Sequence, residues 1–144
     1  MTINIEKFTK SSNKELYYKA LKIREEVFIK EQNVSKVEEL ENEEESVFYL
    51  LFFDNEPASV ARYRLIDDKI KLERFATLKK FRRKGLATKL LKHILKDLKK
   101  YNNKQIYLHS QVYIVSLYEK EGFVCQGDIF YEAGIPHYKM ILKH

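Results

Sequence analysis

The 144-residue chain contains few of the residues that interrupt or crosslink a fold: four glycines, two prolines, one cysteine and no tryptophan. Because Cys125 is the only cysteine, an internal disulfide is excluded, which agrees with a reducing compartment. No stretch rich in Gly, Pro or Ser divides the sequence. We therefore expect one folded domain over residues 1–144.

Long apolar runs are also absent. No run approaches the roughly 20 residues that a membrane-spanning helix requires. Residues 1–10 alternate apolar and polar side chains, whereas a signal peptide carries a continuous apolar segment. The sequence therefore predicts a cytoplasmic protein with no membrane partner.

Charge is unevenly distributed along the chain, whose net charge is +6 at pH 7. Basic residues are dense over 79–84 and recur at intervals up to Lys100. Nucleic-acid binding is one interpretation, but lysines on the polar face of an amphipathic helix are more often simply solvated. We expect no nucleic-acid partner, and we interpret the acidic run over 38–45 as a solvated loop.

Apolar periodicity predicts ten elements in the order β-α-β-β-β-α-β-α-β-β. The predicted strands are 2–8, 47–53, 58–66, 69–78, 105–110, 123–130 and 137–143, and the predicted helices are 13–30, 86–100 and 112–121. Ser12 and Glu15 have the spacing of a capping box for the first helix. Since a helix connects the fourth and fifth strands, we expect those two strands to be parallel. The predicted fold class is α/β (α+β) with a mixed sheet.

The loop that precedes the second helix concentrates features of an anion site. Arg82, Arg83 and Lys84 supply charge, and Gly85 lets the backbone approach a ligand closely. A helix N-terminus adds free N–H groups and a partial positive charge, a combination that suits a diphosphate. A basic surface loop is an equally good interpretation of this segment alone. Its spacing matches neither the P-loop nor the Rossmann pattern.

Five segments in order resemble the GCN5-related N-acetyltransferase (GNAT) family, in its ElaA/YjcF-like branch. They are Arg82-x-x-Gly85-x-Ala87, the set Gln111, Tyr118, Gly122 and Phe123, and the stretches 24–32, 72–76 and 132–137. The resemblance covers nearly the whole chain. It departs from the family at Gln111, where the second signature usually has Asn.

The resemblance implies a fold in which strands 4 and 5 splay apart and hold acetyl-CoA. It implies direct transfer of the acetyl group to the amine of a small molecule or peptide, without a metal and without Cys125 as a nucleophile. The cofactor-binding residues it implies are Phe75, Ala76, Thr77, Arg82, Arg83, Lys84, Gly85, Leu86, Ala87, Thr88, Gln111 and Tyr118.

Catalytic roles follow from side-chain chemistry. We expect Tyr118 to protonate the departing thiolate, because phenol and thiol pKa values are close; the alternative is a core tyrosine. The general base is left open among Glu73, His109 and His137. If Asp67 and Asp68 form a tight turn, Glu73 faces Arg62 across two strands, and such an ion pair makes a poor base.

The acceptor pocket is predicted to involve Arg24, Glu132 and His137. Glu132 would attract a cationic amine. Arg24 would bind an acidic acceptor or else pair with a buried carboxylate. The sequence does not name the acceptor or the oligomeric state, for which a homodimer is one option. A non-catalytic CoA-binding module and, less favoured, a nucleic-acid-binding protein are the alternative functions.

Overall fold

A computed structural model describes residues 2–101 and 103–143. Seven strands form a single sheet within these residues, in the order β1-β2-β3-β4-β5-β7-β6. The strands are β1 (Ile3–Thr9), β2 (Val47–Phe53), β3 (Glu56–Ile66), β4 (Lys69–Thr77), β5 (Ile106–Gln111), β6 (Phe123–Glu132) and β7 (Ile135–Leu142). The α-helices are α1 (Lys14–Arg24), α2 (Lys36–Glu39), α3 (Leu86–Asp97) and α4 (Val115–Glu119). Short 3-10 turns lie at Lys79–Phe81, Leu98–Tyr101 and Val112–Ile114.

The predicted order of elements along the chain is confirmed, apart from the additional short helix α2, and so is the mixed character of the sheet. β4 and β5 are parallel, with Ile70 opposite Ile106 and Leu72 opposite Leu108. The other neighbouring pairs of strands are antiparallel. Among the described residues, no helix is long and apolar enough to cross a bilayer.

Both faces of the sheet are covered, which explains the continuous apolar run of β2. Side chains alternate across a strand, so Phe48 and Leu50 pack beneath α1, while Tyr49 and Leu51 pack on the other face. The core on that second face is completed by α3, whose Leu86, Leu90, Leu91 and Ile94 are buried.

The first helical segment differs from its prediction at both ends. The N-cap is Asn13, whose side chain accepts a hydrogen bond from the Leu16 amide at 3.0 Å. Ser12 instead accepts from the Thr9 amide, so the predicted capping box is wrong. At its other end, α1 widens into a π-helical segment over Glu25–Glu31, a change that apolar periodicity does not signal.

The acidic run is not a solvated loop throughout. Glu39 and Glu43 are only 1% and 5% exposed. Arg24 donates from Nε to Glu39 Oε2 and from Nη1 to Glu43 Oε1, both at 2.7 Å. Arg62 also donates to Glu43 and lies 3.1 Å from Glu73 Oε1. Buried ion pairs therefore attach residues 36–43, here called the α2 segment, to α1 and to the sheet.

Replacing Glu43 with Gln tests this fastening. The substitution keeps the size of the side chain and removes the negative charge between Arg24 and Arg62. We expect the free energy of unfolding at pH 7, measured with urea, to fall by about 3 kcal/mol, because a buried ion pair broken on one side leaves a charge uncompensated.

Glu44→Gln is the matched control, since Glu44 is exposed and pairs at the surface with Lys10 at 3.1 Å. This change should cost less than about 1 kcal/mol. Equal losses from the two substitutions would show that the buried charge of Glu43 does not hold Arg24 and Arg62 in place.

Candidate active site

A cleft opens where β4 and β5 part. Their pairing ends at Leu72 and Leu108 in the described chain, and the following residues of each strand line a cavity of about 600 Å³. Arg74 has a φ of 59°, a left-handed conformation in the middle of a strand, and the β3–β4 register shifts nearby. Such a bulge bends a strand away from its neighbour. The predicted splay of strands 4 and 5 is present.

The Arg74 side chain explains how this conformation is held, although a non-glycine residue in it costs roughly 1–2 kcal/mol. Its Nη2 donates to the Glu38 carbonyl at 3.0 Å, and its Nε lies 3.2 Å from Glu39 Oε1. The bulge and the α2 segment therefore support each other.

The free edge of β4 forms one wall of the cleft. Ala76 turns its carbonyl toward β3, where Ser59 Oγ donates to it at 3.1 Å. Because successive residues of a strand turn their backbone groups to opposite sides, those of Phe75 and Thr77 face the cleft. All three residues line it. The Thr77 carbonyl accepts from Arg82 Nε at 2.9 Å. The other backbone groups of this edge can pair with an extended ligand, as one strand pairs with another.

The predicted anion loop adjoins this wall. Gly85 is the N-cap of α3 with a φ of +73°, and among the described residues no heavy atom outside its own stretch of backbone lies within 4 Å of the position a Cβ would occupy. Glycine is thus favoured there by conformation and not by crowding. Arg82, Arg83 and Lys84 are exposed, Ala87 and Thr88 are half-buried, and Leu86 is buried so that only its backbone can serve a ligand.

Two side-chain pairs that sequence reasoning missed connect the end of the π-helical segment and its C-cap, Gln32, to the donor side of the cleft. Arg82 donates from Nη1 and Nη2 to the two carboxylate oxygens of Glu31, at 3.0 and 2.8 Å. Gln111 donates from Nε2 to Gln32 Oε1 at 2.9 Å. Glu31 and Gln32 belong to the stretch 24–32 that carried part of the resemblance, and that was their only signal in the sequence.

Tyr118 lies at the base of the cleft. Its ring meets Phe75 and Phe123 edge-on, with centroids 5.7 and 6.0 Å away. Burial raises the pKa of its hydroxyl above the ordinary value, so the group stays protonated at neutral pH. The hydroxyl therefore has a proton to donate, although burial makes it a weaker acid than a free phenol.

Glu73 faces Arg62 across the strands, as its predicted register required. Its carboxylate also accepts from Arg64 Nε at 2.8 Å and lies 3.2 Å from Lys71 Nζ. Burial alone would raise the pKa of Glu73, but the hydrogen bond from Arg64 and the neighbouring cations outweigh it and lower the pKa to about 2. A carboxylate so stabilised is a weak base. This corrects the prediction of a catalytic role for Glu73.

Arg24 also requires a correction. Its side chain is fully enclosed, and its guanidinium is taken up by Glu39 and Glu43. Of the two roles considered for it, the structure supports pairing with buried carboxylates and places it behind the cleft, out of reach of an acceptor.

His109, Glu132 and His137, predicted from separate segments, are brought together at the other end of the cleft. His109 Nδ1 lies 3.1 Å from Glu132 Oε2, and His137 Nε2 lies 3.9 Å from Glu132 Oε1. The ring of Phe130 packs edge-on to His109 at 4.9 Å and stacks on His137 at 5.9 Å. β5, β6 and β7 each contribute to this cluster, so it depends on the antiparallel pairing of β7 with both neighbours.

Comparison with known proteins agrees with this geometry. The profile of the acetyltransferase (GNAT) domain family matches residues 6–144. The chain belongs to the GNAT acetyltransferase family. It is therefore an N-acyltransferase that uses a CoA-type donor. A relative in Bacillus subtilis strain 168, the uncharacterized N-acetyltransferase YjcF, is 36% identical over 136 residues, which span 91% of this chain and 95% of the relative.

Two solved structures share the fold of this GNAT acetyltransferase. Escherichia coli ElaA superposes with a TM-score of 0.87 at 21% identity, covering 99% of this chain and 100% of that one. A GNAT family acetyltransferase from Elizabethkingia anophelis with acetyl-CoA bound gives a TM-score of 0.69 at 19% identity, covering 96% of this chain and 94% of that one. At these identities the likeness bears on the fold alone.

The environment of Glu73 generates a pH-dependent prediction. Its pKa is lowered on folding from 4.5 to about 2, so its contribution to stability is present above pH 4.5 and is lost as the pH falls toward 2. We expect Glu73→Gln to lower the free energy of unfolding by about 3 kcal/mol at pH 7. The deficit should shrink between pH 4.5 and 2, as followed by urea unfolding across that range.

The control for this series is Glu56→Gln, since Glu56 is exposed and its ion pair with Lys80, at 3.2 Å, lies on the protein surface. It should cost under about 1 kcal/mol at every pH. A Glu73→Gln deficit that stays constant down to pH 2 would show that packing, and not charge, accounts for it.

Proposed function

We propose that this GNAT acetyltransferase moves the acetyl group of acetyl-CoA directly to the amine of a small molecule or peptide. The observation that carries the proposal is the continuity of the cleft. One cavity extends from Arg82 and Ala87 beside the anion loop, past the free edge of β4, to His109, Glu132 and His137. A donor and an acceptor entering from opposite ends would meet near Tyr118. The neighbour with acetyl-CoA bound supports the choice of donor.

Donor binding follows from the groups along this path. The diphosphate would accept hydrogen bonds from the first amides of α3, with Arg83 and Lys84 adding positive charge. The amides of the pantetheine arm would pair with the backbone of Phe75 and Thr77. Arg82 and Gln111 would contact the donor upon exchanging their partners Glu31 and Gln32.

The chemistry divides between two ends of the cleft. His137 Nδ1 lies 2.7 Å from the Ile135 carbonyl, which can only accept, so Nδ1 carries a proton and Nε2 of the neutral ring is free to take one. His137 would therefore remove a proton from the amine, which attacks the thioester carbonyl. Backbone N–H groups on the free edge of β4 would stabilise the oxyanion, and Tyr118 would protonate the leaving thiolate.

Donor binding is tested by thermal unfolding with acetyl-CoA. A ligand that binds only the folded state stabilises it, so saturating acetyl-CoA should raise the Tm by several degrees. Release of free thiol in the presence of a broad panel of amines then tests transfer. An unchanged Tm would reject the donor, and a raised Tm without thiol release for any amine would favour a non-catalytic CoA-binding module.

Gly85→Asp locates the diphosphate within the same assay. The added carboxylate would repel the diphosphate, so the Kd for acetyl-CoA should rise at least about tenfold, measured by calorimetry. The matched control is Gly127→Asp, because Gly127 also has a positive φ, +82°, and open space at its Cβ position, but lies in β6. Equal weakening by both substitutions would contradict the assignment of the loop.

Tyr118→Phe tests the proposed acid. The ring and its contacts remain while the hydroxyl is lost, so kcat should fall by about a hundredfold, near the lower limit for general-acid catalysis because a thiolate leaves fairly well unaided. The Kd for acetyl-CoA should hardly change. Tyr138→Phe, at a partly buried tyrosine of β7, is the control. Wild-type turnover in Tyr118→Phe would show that another group supplies the proton.

A further inference from the structure

The proposed acid and base do not account for one of the two protons that an ammonium group loses on acylation. An ammonium acceptor must lose one proton before its nitrogen attacks and a second as the amide forms. The thiolate takes up one of them, delivered by Tyr118. The other has to leave a partly enclosed cleft and reach bulk water before the next turnover.

The surroundings of His137 restrict where that proton can go. Its Nδ1 is occupied with the Ile135 carbonyl at 2.7 Å, so a proton taken from the amine resides on Nε2. The His137 side chain is only 10% exposed, whereas that of Glu132, 3.9 Å from this nitrogen, is 45% exposed. Glu132 is therefore the neighbouring acceptor that also meets solvent.

Glu132 is itself held in place. His109 Nδ1 lies 3.1 Å from Oε2, and a carboxylate can only accept, so His109 donates. This hydrogen bond lowers the pKa of the Glu132 carboxyl, outweighing its partial burial, and keeps it ionised near neutral pH. Phe130 packs on both imidazole rings and limits their rotation.

Two lysines also lie near the cluster, one on β4 and one on β7. Lys71 of β4 acts on the Glu132 carboxylate, and Lys139 of β7 lies opposite His109 in the register. Lys71 favours the ionised form of Glu132, and neither lysine can accept a proton while charged. Glu132 alone in this cluster combines a free acceptor oxygen, proximity to His137 and access to water.

We propose that Glu132 is the positioning residue of the acetyl-transfer base, His137. The Glu132 carboxylate holds the His137 imidazolium by charge, receives its proton on Oε1 and releases it to water. His109 orients the carboxylate. The inference rests on the proposed function, since it assumes an amine acceptor. In this transfer one N–H bond of the imidazolium breaks and one O–H bond forms on Glu132, and water then takes the proton.

Glu132→Gln tests the proposal, since it keeps the shape and the hydrogen bond from His109 but can neither carry charge nor take up a proton. We expect kcat to fall roughly tenfold, with the KM for the amine little changed. The acidic limb of the kcat/KM profile should move to lower pH, because the imidazolium loses its anionic neighbour. Added imidazole or acetate buffer should restore part of kcat by taking up the proton.

Asp128→Asn, an exposed carboxylate on the same strand, is the control and should change none of these quantities. If Glu132 instead only attracts a cationic acceptor, Glu132→Gln will raise the KM for the amine and leave kcat, the acidic limb and the buffer response as in the wild type. That result would overturn the proposal.

A measurement without substrates separates this inference from the proposed function. NMR of the histidine rings at a fixed pH of about 6.5 reports the protonated fraction of His137. This fraction should be smaller in Glu132→Gln than in the wild type and in Asp128→Asn. An equal fraction in all three proteins would overturn the role of Glu132 even if transfer occurs, and failure of transfer would not affect the NMR result.

Discussion

Three buried carboxylates, Glu39, Glu43 and Glu73, join elements that are distant in the sequence. Arginines from α1, β3 and the β4 bulge neutralise them, and Arg24 alone contacts Glu39 and Glu43 at 2.7 Å each. Transfer of such charges out of water costs several kcal/mol for each ion, and the pairs repay this only when their geometry is good. The network is thus better understood as fixing where the α2 segment lies than as a source of stability. Apolar side chains could bury the same area without specifying one position.

The cleft follows from that position. Arg74 reaches the α2 segment from a left-handed residue, so the strand keeps its bulge and parts from β5. The gap leaves one strand edge unpaired, and an unpaired edge inside a protein is normally covered because its N–H and C=O groups need partners. In the proposed function, the donor would supply those partners during turnover. The charge network, the bulge and the donor path are therefore parts of one constraint.

Much of this was predictable from the sequence, because local patterns have local causes. Strand alternation and the helical period of 86–100 set the element order, and a βαβ connection is nearly always right-handed with parallel strands. The register that sets Glu73 against Arg62 followed from the length of one turn. What the sequence could not give are partners chosen by tertiary contact. A glutamate in an acidic run looks solvated, and nothing local distinguishes Glu43, enclosed by two arginines, from its exposed neighbour Glu44. The meeting of His109, Glu132 and His137 likewise depends on how β7 pairs with two strands.

Glu73 and Glu132, two carboxylates of the cleft, suit different roles because their surroundings differ. Glu73 is only 7% exposed and is surrounded by Arg62, Arg64 and Lys71, so it is held as an anion and has little affinity for a proton. Glu132 meets solvent and contacts imidazoles, which exchange protons near neutral pH. The cations around Glu73 hold its carboxylate in the ionised form, so the group is unsuited to acid–base chemistry. In the proposed function, removal of the amine proton is thereby left to the wall built by β5, β6 and β7, opposite the strand that would hold the thioester, while Tyr118 of α4 supplies the acid.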